Sequence, residues 1–218
     1  MERKTRIGIL NSGFGTIVEV IINACKSGGI NGEVVFIGTD RPKIISIDIA
    51  KKNNIPWFTS DYKLLGSHTG ESELNRQVGK FEFDLLVLAC FRRILSSRFV
   101  DQYSPDSNNP RIVNIHPSLL PAFTGLDACG QAYRYGCKVG GCTVHFVDHG
   151  LDTGPIITQE AYLIDDNDSI EDIRKKGFIM QCNLLLKSLK YFAEGRIKID
   201  QKNLDRRVVR IIKKGEKQ

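Results

Sequence analysis

The sequence predicts an α/β fold: a Rossmann-like, mostly parallel sheet with helices on both faces and a C-terminal part carrying antiparallel strands and a long helix. Two patterns carry that expectation. Short β-branched apolar runs alternate with longer amphipathic segments over residues 7–135, the rhythm of strand–helix–strand units. Beyond them come two longer strand-like runs joined by a polar loop, then one long helical stretch.

The first strand falls at 7–10, and the helix at 16–27 follows it after a glycine-containing turn. Strand 34–38 precedes helix 43–53, strand 85–89 precedes helix 96–103, and strand 112–115 precedes helix 126–135. Strands at 142–146 and 155–162 flank the loop 148–154, whose two glycines, Gly150 and Gly154, suit a turn. Ser169 followed by Asp172 offers a capping pair for a helix through Ala193, with Ile179, Leu184, Leu185 and Phe192 as its apolar positions and Gly195 as its stop. A terminal hairpin over 196–199 and 207–212 completes the chain, read as a single domain over 1–218.

At 218 residues, 41% hydrophobic and 26% charged, the chain can bury one substantial core, which excludes a disordered or collagenous protein. No run approaches the roughly 20 apolar residues of a membrane span, and residues 1–6 lead into a strand rather than a signal-peptide core. A cytoplasmic protein without a membrane partner is expected. From Arg196 onward nine basic residues face three acidic ones, which is the whole net charge of +6. A basic tail of this kind keeps a chain end solvated, so specific nucleic-acid binding is not expected. The six cysteines are scattered and form no C-x-x-C pair, so they read as reduced thiols. Cys137, Cys142 and His145 lack the close paired spacing of zinc modules, and no metal is expected.

Three places offer chemistry. The first strand–helix turn, residues 11–16 with Gly13 and Gly15, presents free backbone N–H groups and a helix dipole to an anion, for which phosphate is the natural guest. The same glycines also suit a plain tight turn. Asn114 and His116 alternate at the carboxyl end of the fourth parallel strand, where open α/β sheets keep their ligands. An amide N–H₂ donates to a developing oxyanion without changing charge, and an imidazole transfers protons near neutral pH. A carboxylate is needed to orient that histidine and raise its pKa, and the loop supplies both Asp148 and Asp152. The residues alone do not choose between them.

Taken together, residues 12–16, Phe91-Arg92-Arg93-Ile94-Leu95-Ser96, Asn114-Ile115-His116-Pro117-Ser118-Leu119-Leu120-Pro121 and the stretch 143–155 resemble the phosphoribosylglycinamide formyltransferase family, also called GAR transformylases. The resemblance runs from about Arg6 to Ile199, and the Phe123-Thr124-Gly125 continuation favours this member of the formyl-folate enzymes. It implies the formyltransferase fold, with a nucleotide-phosphate-binding half over about 1–110, a folate and catalytic half over about 111–200 and a basic hairpin and tail over 196–218. The implied activity moves the formyl group of 10-formyltetrahydrofolate to the amine of glycinamide ribonucleotide in purine synthesis. By position, the family's catalytic residues match Asn114, His116 and Asp152. Its folate contacts match Arg92, Arg93, Ile94 and Leu95, Asn114, and the loop residues Asp148, His149, Gly150, Leu151 and Asp152. Its ribonucleotide contacts match Gly13, Gly15, Thr16, Ile17 and Gln181. The matching departs from the family at Ile17 for an asparagine, at Gln181 for a glutamate and at Glu71 for an arginine. Rival readings keep the folate and change the acceptor to a sugar amine, an aminoacyl-tRNA or water. A nucleotide-binding oxidoreductase on Gly13, Gly15 and Asp40 is a further rival, though Val18 stands where a third glycine would be needed.

Overall fold

The computed structural model describes residues 3–13, 15–200 and 206–214. The chain divides into two compact units, Met1–Pro105 with Arg111–Val113, and Asp106–Pro110 with Asn114–Gln218.

The first unit alternates β1 (Thr5–Asn11), α1 (Thr16–Lys26), β2 (Gly32–Thr39), α2 (Ile45–Lys52), β3 (Trp57–Thr59), α3 (Tyr62–Val78), β4 (Leu85–Ala89) and α4 (Ser97–Tyr103). β1 pairs in parallel with β2 on one side and β4 on the other, and β2 pairs in parallel with β3. All five residues of β4 are buried, as expected of a parallel strand covered on both faces. Glycines inside these strands make room for rings. A Cβ on Gly8 would lie 2.3 Å from Phe36, which stacks on Phe81 at 4.7 Å.

The second unit contains the end of β5 (Ile112–His116), then α5 (Ala128–Tyr135), β6 (Val139–Phe146), β7 (Ile156–Leu163), α6 (Ile170–Ala193), β8 (Ile197–Asp200) and β9 (Val208–Ile211). β6 and β7 run antiparallel, with a register shift between Val144 and His145. α6 packs against this pair: Cys142 Sγ lies 3.3 Å from the Gly177 carbonyl oxygen, and the hydroxyls of Thr158 and Ser188 are 2.6 Å apart. Its first turn is closed by the Ser169–Asp172 capping box in both directions. β8 and β9 form an antiparallel hairpin. Within the first unit the hydrogen-bonded strand order is β3-β2-β1-β4. Among the described residues no helix is long and apolar enough to cross a membrane.

The expected strands and helices are present, most of them displaced by one to three residues at an end. Two elements are not announced by the pattern. β3 has only three residues, and α3 is polar and interrupted at Gly66, where φ is 76°. What anchors α3 is a narrow stripe of buried residues, Gly70, Leu74 and Val78, below Tyr62. One expected core position is wrong: Ile179 is 56% exposed, because the buried face of α6 runs through Ile173, Gly177, Gln181, Leu184, Leu185, Ser188 and Leu189. Lys202, Asp205, Glu216 and Lys217, counted above in the tail charge, lie outside the described residues.

Candidate active site

β5 presents Asn114 and His116 on one side of the strand, while Ile115 between them is buried on the other. The chain leaving β5 is fastened to β6 and β7. Thr143 Oγ1 accepts from Leu120 N–H at 3.1 Å and donates to the Ser118 carbonyl at 2.7 Å, and Gln159 Nε2 donates to the Leu120 carbonyl at 2.8 Å. That fastening carries Phe123 back to His116, whose Nε2 lies 2.8 Å from the Phe123 carbonyl oxygen. A carbonyl only accepts, so Nε2 carries a proton and Nδ1 is the nitrogen that exchanges one.

Nδ1 faces Asp152, with Oδ2 at 3.4 Å. The same Oδ2 accepts from the Gly125 backbone N–H at 2.8 Å, and Asn114 Nδ2 stands 3.5 Å from Oδ1. A second histidine joins them. His145 donates from Nδ1 to the Phe146 carbonyl at 2.8 Å, which leaves Nε2 directed at Asn114 Nδ2 (3.3 Å) and Asp152 Oδ1 (3.6 Å). Both imidazoles are thus tied down by a backbone carbonyl and turn the remaining nitrogen toward one amide and one carboxylate. Phe123 and Asp152, the two partners of His116, both have left-handed backbone, with φ of 54° and 55°. Such conformations cost about 1–3 kcal/mol each and persist where surrounding structure enforces them.

Burial sets the electrostatics. His116 is pushed below its ordinary 6.5 chiefly by burial and also by His145, against the raising effects of the Phe123 carbonyl and the Asp152 charge. The expectation that Asp152 would leave this histidine raised is therefore corrected: the carboxylate does raise it, but desolvation is larger. Burial also works to raise Asp152. Hydrogen bonds from His145 and Gly125 and the two neighbouring imidazoles outweigh it and leave the carboxyl below 3.8.

A stability test follows from the sign. A histidine with a folded pKa below its unfolded value binds more protons when unfolded, so stability is full above about 6.5 and falls as pH drops through the interval beneath it. Thermal denaturation should show that loss, and His116→Gln should flatten it. A wild-type melting temperature flat across that interval contradicts the assignment.

The two loop aspartates part company. Asp148 Oδ1 accepts from Gly150 N–H at 3.1 Å and from the Thr153 hydroxyl at 2.6 Å, so it caps its own loop, while Asp152 reaches the histidines. Gly154 closes that loop, since a Cβ there would sit 1.8 Å from the Phe146 carbonyl oxygen. His149 and Gly150 are exposed, Leu151 is 49% exposed, and Gln181 is buried on α6. The sequence pattern offers His145 at most a metal ligand's part and misses its place beside Asn114 and Asp152. Its signal was the polar pair Thr143 and His145, two residues apart in an otherwise apolar buried strand.

In the first unit, Asn11 builds the strand–helix turn: Nδ2 donates to the Ala89 carbonyl at 2.6 Å, and Oδ1 accepts from Gly13 N–H and the Ser46 hydroxyl, both at 3.1 Å. Gly15 begins α1 with φ 86° and no side-chain cap, which leaves first-turn N–H groups for another acceptor. Ile17 is 2% exposed, so only its backbone could meet a ligand there. Ser12 and Gly13 border a cavity of about 660 Å³ whose cationic lining is Arg41, Lys43, Lys51 and Arg92. Asp40 does not await a ribose hydroxyl as the oxidoreductase reading required. Its carboxylate is bonded to Arg93 at 2.6 Å. Arg92 N–H donates to Ser12 Oγ at 2.9 Å, and Ile94 in the same segment is 76% exposed.

Residues 5–189 match the model of the formyl transferase family. The chain belongs to that family. Within it, the chain belongs with the phosphoribosylglycinamide formyltransferases. It is 37% identical over 172 residues to the Bacillus subtilis phosphoribosylglycinamide formyltransferase, covering 78% of this chain and 86% of that protein. The crystal structure of glycinamide ribonucleotide transformylase 1 from Symbiobacterium toebii superposes with a TM-score of 0.87 at 34% identity, covering 98% of this chain and 96% of that one. The trifunctional purine biosynthetic protein adenosine-3 of Drosophila melanogaster is 39% identical over 175 residues, which span 78% of this chain and 13% of the larger protein.

Proposed function

We propose that the protein transfers the formyl group of 10-formyltetrahydrofolate to the amine of glycinamide ribonucleotide, as a cytoplasmic enzyme of purine synthesis. The observation that carries the proposal is the convergence of Asn114, His116 and Asp152, with His145 behind them, in a chain of this family. In this reading the amine nitrogen attacks the formyl carbon and the carbonyl becomes a tetrahedral oxyanion, to which Asn114 Nδ2 and His116 Nδ1–H donate. A new C–N bond forms, the bond to N10 breaks, and the proton lost by the amine is delivered to N10. Asp152 supports that transfer by favouring the protonated form of His116. Residues 92–95 and 148–152 contact the folate, and Gly13, Gly15, Thr16, the Ile17 backbone and Gln181 the ribonucleotide. Arg41 and Lys43 beside Ser12 and Gly13 supply positive charge suited to a phosphate.

Incubation with 10-formyltetrahydrofolate, with and without glycinamide ribonucleotide, tests the proposal. Formyl loss that depends on the ribonucleotide is expected. Formate release without it would instead make water the acceptor, and no turnover with either would end the transferase reading.

The acceptor site has its own test. Valine at Gly15 cannot be used, because φ is 86° and a Cβ would lie 2.8 Å from Ile49, so the fold itself would suffer. Gly13 tolerates a Cβ, with its nearest neighbour 3.5 Å away, and it borders the cavity. Gly13→Val is expected to raise KM for the ribonucleotide by about tenfold or more with the folate KM little changed. Equal changes in both would move the phosphate elsewhere.

A further inference from the structure

Asp40 follows β2 with a side chain that has no exposed surface, so its charge must be balanced from within the protein. Arg93 does this, donating from Nε to Oδ2 at 2.6 Å. Oδ1 has no hydrogen-bond partner, and Arg41 Nε stays 4.0 Å away. The Arg93 guanidinium also lies 4.8 Å over the ring of Tyr62, the first residue of α3. It is therefore held along its edge by a carboxylate and on its face by a ring.

The far end of the same segment is held by another acid. Ser96 N–H lies 3.2 and 3.3 Å from the two carboxylate oxygens of Glu71 on α3, and the Ser96 hydroxyl donates to Glu71 as well. Ser96 in turn caps α4 by accepting from Phe99 N–H at 3.3 Å. The near end is fixed by Arg92 N–H on Ser12 Oγ. Between these fastenings stands Ile94, 76% exposed. An exposed turn of this kind would ordinarily have to be ordered when a ligand binds, and that ordering free energy is subtracted from affinity.

We propose that Asp40 and Glu71 are positioning residues that hold residues 92–96 in the shape that receives the formyl donor. This rests on the reading above, in which residues 92–95 contact the folate. Neither acid touches a reacting atom. Asp40 acts through the Arg93 side chain, and Glu71 through the Ser96 backbone and hydroxyl. The position at which the family resemblance implied an arginine thus carries an acid with a local task, and the Arg93 charge is already matched inside the protein.

The variants Asp40→Asn and Glu71→Gln, each in the full chain, test this by steady-state kinetics in both substrates, by calorimetric binding of tetrahydrofolate and by amide hydrogen exchange over residues 91–96. Removing the charge of Asp40 leaves Arg93 without its buried partner, so the folate KM and Kd are expected to rise by about tenfold. Glu71→Gln, nearer the surface, is expected to raise them about threefold. In both variants the amides of the segment exchange faster, while kcat and the ribonucleotide KM stay within about twofold. Unchanged folate binding despite faster exchange overturns the proposal. So does an equal loss in both substrates with exchange unaltered. If Asp40→Asn fails to fold, Glu71→Gln and Ser96→Ala decide by the same measurements. If the wild-type protein shows no transfer, the proposed function fails, yet binding and exchange still report whether the acids hold the segment.

Discussion

Asn114→Ala is expected to lower kcat by about 10²–10³, the usual effect of removing one donor to an oxyanion, with the folate KM little changed. The argument is geometric. Asn114 stands at the carboxyl end of β5 beside His116, and its Nδ2 has only long contacts, 3.3 Å to His145 and 3.5 Å to Asp152. Those contacts orient the amide without strongly satisfying it. A donor held but under-used in this way gains most when a full negative charge develops before it, and that gain is confined to the transition state. Asn114→Asp provides the converse. It keeps the shape, replaces the donor by an acceptor and adds a charge beside Asp152, so it should be at least as damaging as alanine. A folded alanine variant with near-normal kcat would remove Asn114 from the proposed chemistry.

Much of the fold could be read from the chain because the physical causes were local or periodic. The run Leu85–Ala89 is apolar without alternation because both of its faces are covered, and Ser169 with Asp172 marks a helix start through bonds that span three residues. α3 was not legible for the opposite reason. Its buried stripe is narrow, one of its members is a glycine packed beneath Tyr62, and Gly66 breaks the helical run.

The site divides in the same way. Asn114 and His116 could be paired from strand alternation alone. Asp148 and Asp152 were separated only by the family resemblance and not by the residue pattern, since the choice depends on a loop closed by Gly154 and on left-handed backbone at Asp152, neither of which has a periodic signature. The Asp40–Arg93 pair joins residues 53 positions apart. An acid after the second strand of an α/β unit carries the sequence pattern of a ribose ligand, whereas an ion pair with a partner so distant in the chain carries none. The net direction of the His116 shift was equally hidden, because it depends on how far burial exceeds the attraction of a nearby carboxylate.

Asp152→Asn is expected to lower kcat by about 10²–10⁴, the range associated with general acid–base catalysis, and to move the His116 limb of the pH–rate profile to lower pH. The sign follows from the opposing influences on the imidazole. Burial already holds His116 below 6.5, and the charge of Asp152 is among the influences that raise it. Asparagine preserves the size of the side chain but removes that charge, so the histidine falls further and is protonated over a narrower range of pH. Geometry should largely survive, because the Gly125 N–H that now donates to Oδ2 at 2.8 Å can donate to an amide oxygen instead. His145 supplies a control on that point. Its Nε2, 3.6 Å from Asp152 Oδ1, can turn to the new amide, so the pair should stay ordered while the charge is gone. Asp148→Asn is expected to leave the limb in place, since that carboxylate is occupied by Gly150 and Thr153 within its own loop. A limb that moves in the Asp148 variant and not in the Asp152 variant reverses the assignment, and a limb fixed in both removes the carboxylate–imidazole pairing from the mechanism.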